Sequence, residues 1–297
     1  MFTGNVSSTQ PVTRLLLAAS LLLAPFWGFP AHAAESRLAA AEIQFNEPET
    51  VVMEELTLPP PRRVAPEEAL LEELPPLSPA QKTPEEPGAG LKVIAIDAGH
   101  GGADFGCINP AILEKDFTLA VARHTARLLE TSFGGRVILT RTQDANPSLE
   151  VRARLAKAQG AGLLISIHAG ASISPSAHGF ELFVPPTAHL NAGAGAAPGP
   201  RAAGARRAAA QSTEIAQALA GELARSTGAV NRGVHAAPCQ LFEVINFPCI
   251  VLEAGSLTNN TEASKLADDD YQMKIAQGLA DGIRAYTSGA VQTGEAP

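Results

Sequence analysis

The sequence predicts an α/β fold, an open and mostly parallel twisted sheet flanked by helices, built as a single domain that follows a disordered tether. Three observations carry this expectation. Short apolar runs rich in β-branched residues alternate with segments whose apolar residues recur every three or four positions. Chemically capable polar side chains fall at the C-terminal ends of those apolar runs, where open α/β sheets gather their functional groups. Before residue 91, the chain is instead rich in Pro and Glu and lacks apolar periodicity.

Residues 1–33 read as a secretory signal. Arg14 precedes the run LLLAASLLLAPFWGF, and Ala31-His32-Ala33 supplies small residues for cleavage. The run is broken by Pro25 and Pro30 and is shorter than the roughly 20 apolar residues of a membrane span. The expectation is therefore an exported protein, periplasmic or extracellular, with no membrane span after cleavage. Residues 34–90 form the linker. It carries twelve acidic and four basic residues, which accounts for the formal net charge of −8. The remainder is close to neutral, and this argues against nucleic acid as a partner, since counterion displacement needs a basic face. The short apolar patches Ile43–Phe45 and Leu70–Leu74 leave docking on a protein partner open.

The folded domain is expected over 91–288. LKVIAIDAG reads as a buried strand, and Phe117, Val121, Thr125, Leu128 and Leu129 recur at helical spacing. RVILTR, after Gly134 and Gly135, is a second strand. Ser148 is placed to cap a helix reaching about Ala158, followed by the strands AGLLISIHAG and GFELFV. Residues 185–211 form a low-complexity insert, a Gly/Pro loop running into an Ala/Arg stretch that suits a loose helix. Ser212 is expected to cap the next helix, STEIAQALAGELARS. FPCIVLEAGSLTN supplies a strand ending at Glu253, and Ile275, Leu279 and Ile283 mark one side of a closing helix. Residues 289–297 read as a disordered tail.

His100, Glu114, His168 and Glu253 stand out chemically. Two histidines and a carboxylate with a vacant position match a hydrolytic zinc set, and a second carboxylate beside it serves as proton shuttle. Each residue also has a structural reading: a strand-end histidine is often a hydrogen-bonded packing group, and a glutamate at a helix start complements the helix dipole. Spacing alone leaves the two readings open. The glycines of GHGGADFG fit neither the dinucleotide fingerprint nor the P-loop, and no G-x-S-x-G elbow supports a serine triad. Cys107, Cys239 and Cys249 are an odd set for an exported chain. A Cys239–Cys249 bridge and small buried thiols are both open, and Cys107 is not needed as a ligand.

Four ordered blocks, IDAGHGGADFG…EKDFTLAVA, LEVRARLAKAQGAGLLISIHA, GFELF and RGVHAAPCQLFEVINFPCIVLEAGSLTN, resemble those of the zinc-dependent N-acetylmuramoyl-L-alanine amidases. The resemblance spans about Val93 to Tyr286. It implies an enzyme that hydrolyses the amide between N-acetylmuramic acid and L-alanine of peptidoglycan, in cell-wall remodelling or daughter-cell separation, with Zn2+ as cofactor and a cell-wall association. Carried onto this chain, it makes His100, Glu114 and His168 the zinc ligands and Glu253 the catalytic glutamate. It also sets Arg232 near the substrate cleft, and His235 is a candidate for its rim, with packing or surface roles open for both. Asp97 and Asp104 are candidates to orient the ligands from behind, as metal-bound histidines commonly require, with turn-stabilising roles open for both. Gly170, Lys157 and Ser256 depart from the family's usual Asn, Asn and Phe, which bears on substrate contacts and not on ligands. In some cell-division members, an insert at 185–211 forms a helix over the zinc until an activator binds. This insert has no acidic residue before Glu214 to cap a metal, which suggests an open site. An activator or division protein docking through linker or insert is the corresponding partner. The alternative is a non-catalytic relative that binds peptidoglycan or a division partner.

Overall fold

The computed structural model describes residues 91–186 and 200–289. The signal segment, the 34–90 linker, the middle of the insert (187–199) and the tail beyond 289 lie outside the described residues. No described helix is long and apolar enough to cross a membrane.

Strands β1 (Val93–Ala98), β4 (Arg136–Leu139), β5 (Leu163–Gly170), β6 (Phe180–Val184), β7 (Asn231–Ala236) and β8 (Cys249–Ser256) form one sheet in the order β4-β1-β5-β8-β6-β7. All neighbours are parallel except β8 and β6, which are antiparallel. A small hairpin, β2 (Ile108–Asn109) with β3 (Ile112–Leu113), stands apart from it. The helices are α1 (Glu114–Ser132), α2 (Leu149–Ala158), α3 (Pro200–Thr227), α4 (Gln240–Val244), α5 (Asn260–Leu266) and α6 (Asp269–Thr287).

The central strands β1, β5 and β8 are buried on both faces, which is why they read as continuous apolar runs. On one face Ile94, Ile96, Ile165, Ile167 and Leu252 pack against Phe117, Val121 and Leu129 of α1, Ile215 and Leu219 of α3, and Ile275, Leu279 and Ile283 of α6. On the other, Ala95, Leu164 and Val251 meet a thinner layer built from Ala153 and Ala156 of α2 and Leu241 of α4. Ser148 caps α2 as expected, accepting from the Val151 N–H.

Two local expectations are corrected, and one strand is added. Helix α3 starts at Pro200, so Ser212 is no cap: it lies buried in mid-helix, donating to the Ala208 carbonyl at 2.7 Å and accepting from the Cys249 N–H at 3.0 Å. The alanines of 202–210 favour helix strongly enough to extend it backwards. Strand β8 runs on to Ser256 and does not stop at Glu253. The segment NRGVHA forms the strand β7, which its glycine and polar residues concealed. All three cysteines are free thiols.

Candidate active site

The site sits at the C-terminal ends of β1, β5 and β8. After Ala98 the chain turns through His100, whose φ of 60° lies in the left-handed region that a non-glycine residue occupies only under compensation. Two buried guanidinium groups supply it. Arg152 of α2 donates to the carbonyls of Ala98 (2.6 Å) and His100 (2.8 Å), and Arg141 donates to those of Ala98 (2.9 Å) and Gly99 (3.0 Å). Lys115 and Asp144 clamp the far side of the turn, the first through the Gly102 carbonyl and the second through the Gly102 N–H.

His100 pairs through Nδ1 with Asp104 Oδ2 at 2.9 Å, so Nε2 faces the cleft. Glu114 is the first residue of α1, where the helix dipole favours its charge. Its Oε2 accepts from the Cys107 N–H at 2.7 Å and its Oε1 from the Ala169 N–H at 3.1 Å. His168 arrives from β5. The three converge: His100 Nε2, Glu114 Oε1 and His168 Nδ1 are 3.0, 3.0 and 3.2 Å from one another.

Two imidazole nitrogens and a carboxylate oxygen so grouped are the donor set of a hydrolytic zinc site. Ligands held at about 2.0–2.1 Å on a tetrahedral ion lie about 3.3 Å apart, close to the spacing found. The Asp104 carboxylate behind His100 is the support that metal-bound histidines ordinarily have. The residues therefore fit a zinc ion. Burial opposes charge on His100, but the Asp104 and Glu114 carboxylates outweigh it and push its pKa up to about 9. Burial likewise opposes charge on Glu114, and its two histidine partners reverse that, holding it well below the usual carboxylate range. A proton must leave His100 before a metal takes Nε2. Apparent zinc affinity should thus fall about tenfold for each pH unit below about 9, with proton release on binding, checked by titrating zinc across pH.

Gly99 stands against the face of His168, and a Cβ there would lie 2.3 Å from its Cε1. Gly99→Ala should displace the ring and weaken zinc binding on the order of 10–100-fold, the effect of losing a ligand's support, measurable against a competing chelator.

Glu253 is level with His168 on the neighbouring strand and contributes no atom to the triangle. Its Oε2 is buried with no hydrogen-bond partner among the described residues. Burial, then the Glu114 and Glu181 carboxylates, raise its pKa well above the ordinary value against the pull of His100 and Arg232. A carboxyl group that is unpaired and reluctant to ionise is suited to hold and pass a proton. Gly170 lies over it, where a Cβ would come within 3.0 Å of Oε2. Gly170 is level with Ser256, so two of the sequence departures stand side by side on β5 and β8. The third, Lys157, is elsewhere, bonding the Val244 carbonyl at the end of α4.

Of the residues expected behind the ligands, Asp104 touches one and Asp97 does not. Asp97 is buried beneath the turn and bonds Arg152 (2.7 Å), Ser166 (2.6 Å) and Thr140 (2.5 Å), so it acts on His100 only through Arg152. Arg232 and His235 lie on β7 at the edge of the sheet, joined by Glu181, a residue the sequence reading passed over because a lone glutamate in a strand carries no spacing signal. Burial and the nearby Glu114 and Glu253 carboxylates push the Cys107 thiol up to about 11, leaving it protonated.

Comparison with known proteins bears on the family and the fold. The N-acetylmuramoyl-L-alanine amidase family model matches residues 94–285. The chain is 32% identical over 195 residues to the N-acetylmuramoyl-L-alanine amidase LytC of Bacillus subtilis (strain 168), a match covering 66% of this chain and 35% of that protein. It is 30% identical over 240 residues to AmiC of Neisseria meningitidis, covering 71% of this chain and 58% of AmiC. The chain thus spans under two thirds of either relative. The catalytic domain of CwlV from Bacillus (Paenibacillus) polymyxa var. colistinus superposes with a TM-score of 0.56 at 30% identity, covering 67% of this chain and 99% of that one. The fold, the convergent side chains and the match over most of the folded domain together place this chain in the N-acetylmuramoyl-L-alanine amidase family.

Proposed function

We propose that this protein is an exported zinc-dependent N-acetylmuramoyl-L-alanine amidase that hydrolyses the amide between N-acetylmuramic acid and L-alanine in peptidoglycan, acting in cell-wall remodelling or daughter-cell separation. The observation that carries the reading is the triangle of His100 Nε2, Glu114 Oε1 and His168 Nδ1 with the unpaired carboxyl of Glu253 beside it. Zinc, when bound, supplies Lewis acidity toward the amide carbonyl and acidifies water. His100, Glu114 and His168 would hold it, with Asp104 fixing the His100 ring. Glu253 Oε2 takes the proton of the attacking water and delivers a proton to the departing alanine nitrogen. Burial of Oε2 excludes bulk water from that proton.

The test is digestion of purified peptidoglycan with and without a chelator, read by mass spectrometry. Free stem peptides beginning with L-alanine, lost with chelator and restored by zinc, support the reading. Unchanged sacculi would favour a binding relative, and cleavage within the stem a zinc peptidase.

A further inference from the structure

Residues level with one another on adjacent strands share a face of the sheet. His168 of β5 is level with Glu253 of β8, and Glu253 with Glu181 of β6. Between Phe180 and Leu182 the register with β7 slips, so Arg232 and Gly233 together stand opposite Glu181. Simple alternation along β7 would put Arg232 on the face of Val234, which is level with the buried Leu182. The extra residue turns Arg232 onto the face of Glu181 and His235 instead. There Arg232 Nη1 lies 3.1 Å from Glu181 Oε1, and His235 Nε2 lies 3.7 Å from Oε2. His235 also reaches back to within 3.0 Å of the Arg232 carbonyl oxygen, over Gly233 with its φ of 112°.

The result is a polar row across four strands, running from the candidate metal centre to the edge of the sheet. Its last member is the cation. The Arg232 side chain is 42% exposed against 19% for Glu181, and its remaining N–H groups have no partner among the described residues. A guanidinium tied at one nitrogen keeps donors in a fixed plane for a second carboxylate. Direction along the row follows from the chemistry: Glu253 hands its proton to the departing nitrogen, so the peptide portion of the substrate extends on the Glu253 side. From β8 to β7 is two strand spacings, about 10 Å, or two to three residues of extended peptide.

We propose that Arg232, aimed by Glu181 and the slip in β7, is a specificity-determining residue that receives a carboxylate on the second or third residue of the peptide portion. The proposal rests on the amidase reading of the same cleft. It is tested on the full chain carrying Glu253→Gln and loaded with zinc, which binds ligand without cutting it. The probes are a muramoyl peptide with free carboxylates at its second and third residues and the matching carboxamide, titrated calorimetrically. The carboxylate should bind on the order of tenfold tighter, as expected for a half-exposed charged hydrogen-bond pair. Arg232→Gln should abolish that ratio without changing the carboxamide's affinity, Arg232→Lys should restore part of it, and Glu181→Gln should reduce it. Equal binding of the two probes, no binding of either, or an undiminished ratio in Arg232→Gln would overturn the proposal. Failure of the amidase reading looks different: the unsubstituted chain would bind the carboxylate preferentially and leave the amide intact.

Discussion

Glu253→Gln should lower peptidoglycan hydrolysis by about 10²–10⁴-fold, the usual contribution of a positioned acid–base group, while zinc still binds with unchanged stoichiometry. The substitution keeps shape and removes the carboxyl group proposed to move the proton. It should not cost stability. A carboxyl group whose proton affinity is higher in the folded state than in the unfolded chain makes folding less favourable as pH rises through the ordinary carboxylate range, and Glu253 is such a group. The amide variant should therefore melt at or above the parent's temperature in the metal-free protein at neutral pH. His100→Ala is the counterpart, expected to lose metal and activity together. Metal analysis, calorimetry and a digest on the same preparations check all three statements. Near-normal hydrolysis by Glu253→Gln would remove this residue from the reaction.

Arg152→Met carries the second large effect, this time on the scaffold. Its guanidinium is buried and neutralises the buried Asp97 carboxylate at 2.7 Å while donating to two carbonyls of the His100 turn. Breaking a buried pair by removing one member leaves an uncompensated charge, at a cost of about 3–5 kcal/mol. Urea unfolding should show that loss, and adding Asp97→Asn should recover part of it. The acid limb supplies an independent reading. Burial alone would raise the Asp97 pKa, but Arg152, Ser166 and Thr140 hold it at about 2. A carboxylate depressed in the folded state contributes stability that is complete above its ordinary pKa of 3.8 and drains away as pH falls toward about 2. In Arg152→Met that acid-side slope should shrink, because the principal cause of the depression is gone.

The parts of this domain legible in the sequence are those governed by local pattern. Ile94, Ile96, Ile165 and Ile167 announce buried strands because a sheet covered on both faces needs apolar residues at successive positions. Ser148 announces a helix start because its side chain has a local backbone partner. Ser212 misled for the same reason: the residue type favours caps, and only the tertiary bond from Cys249 explains its place inside α3. The four reactive side chains were legible as strand-end residues and as family blocks, but their meeting was not. Convergence depends on β5 lying between β1 and β8, a neighbour relation that no short segment encodes. Glu181 was illegible for a related reason. Its significance comes from being level with Glu253 on one side and with a slipped Arg232 on the other, and register is a property of pairs of strands.

The outer margin at β7 has one further consequence, for self-association. A sheet's last strand offers unpaired backbone groups to any chain that passes, and charge along it is the common deterrent. Asn231, Arg232 and His235 stand exposed or half-exposed on that strand. An apolar residue in place of Arg232 would remove the strand's formal cation and leave the margin freer to recruit a second molecule, so solubility and ligand choice are tied to one side chain.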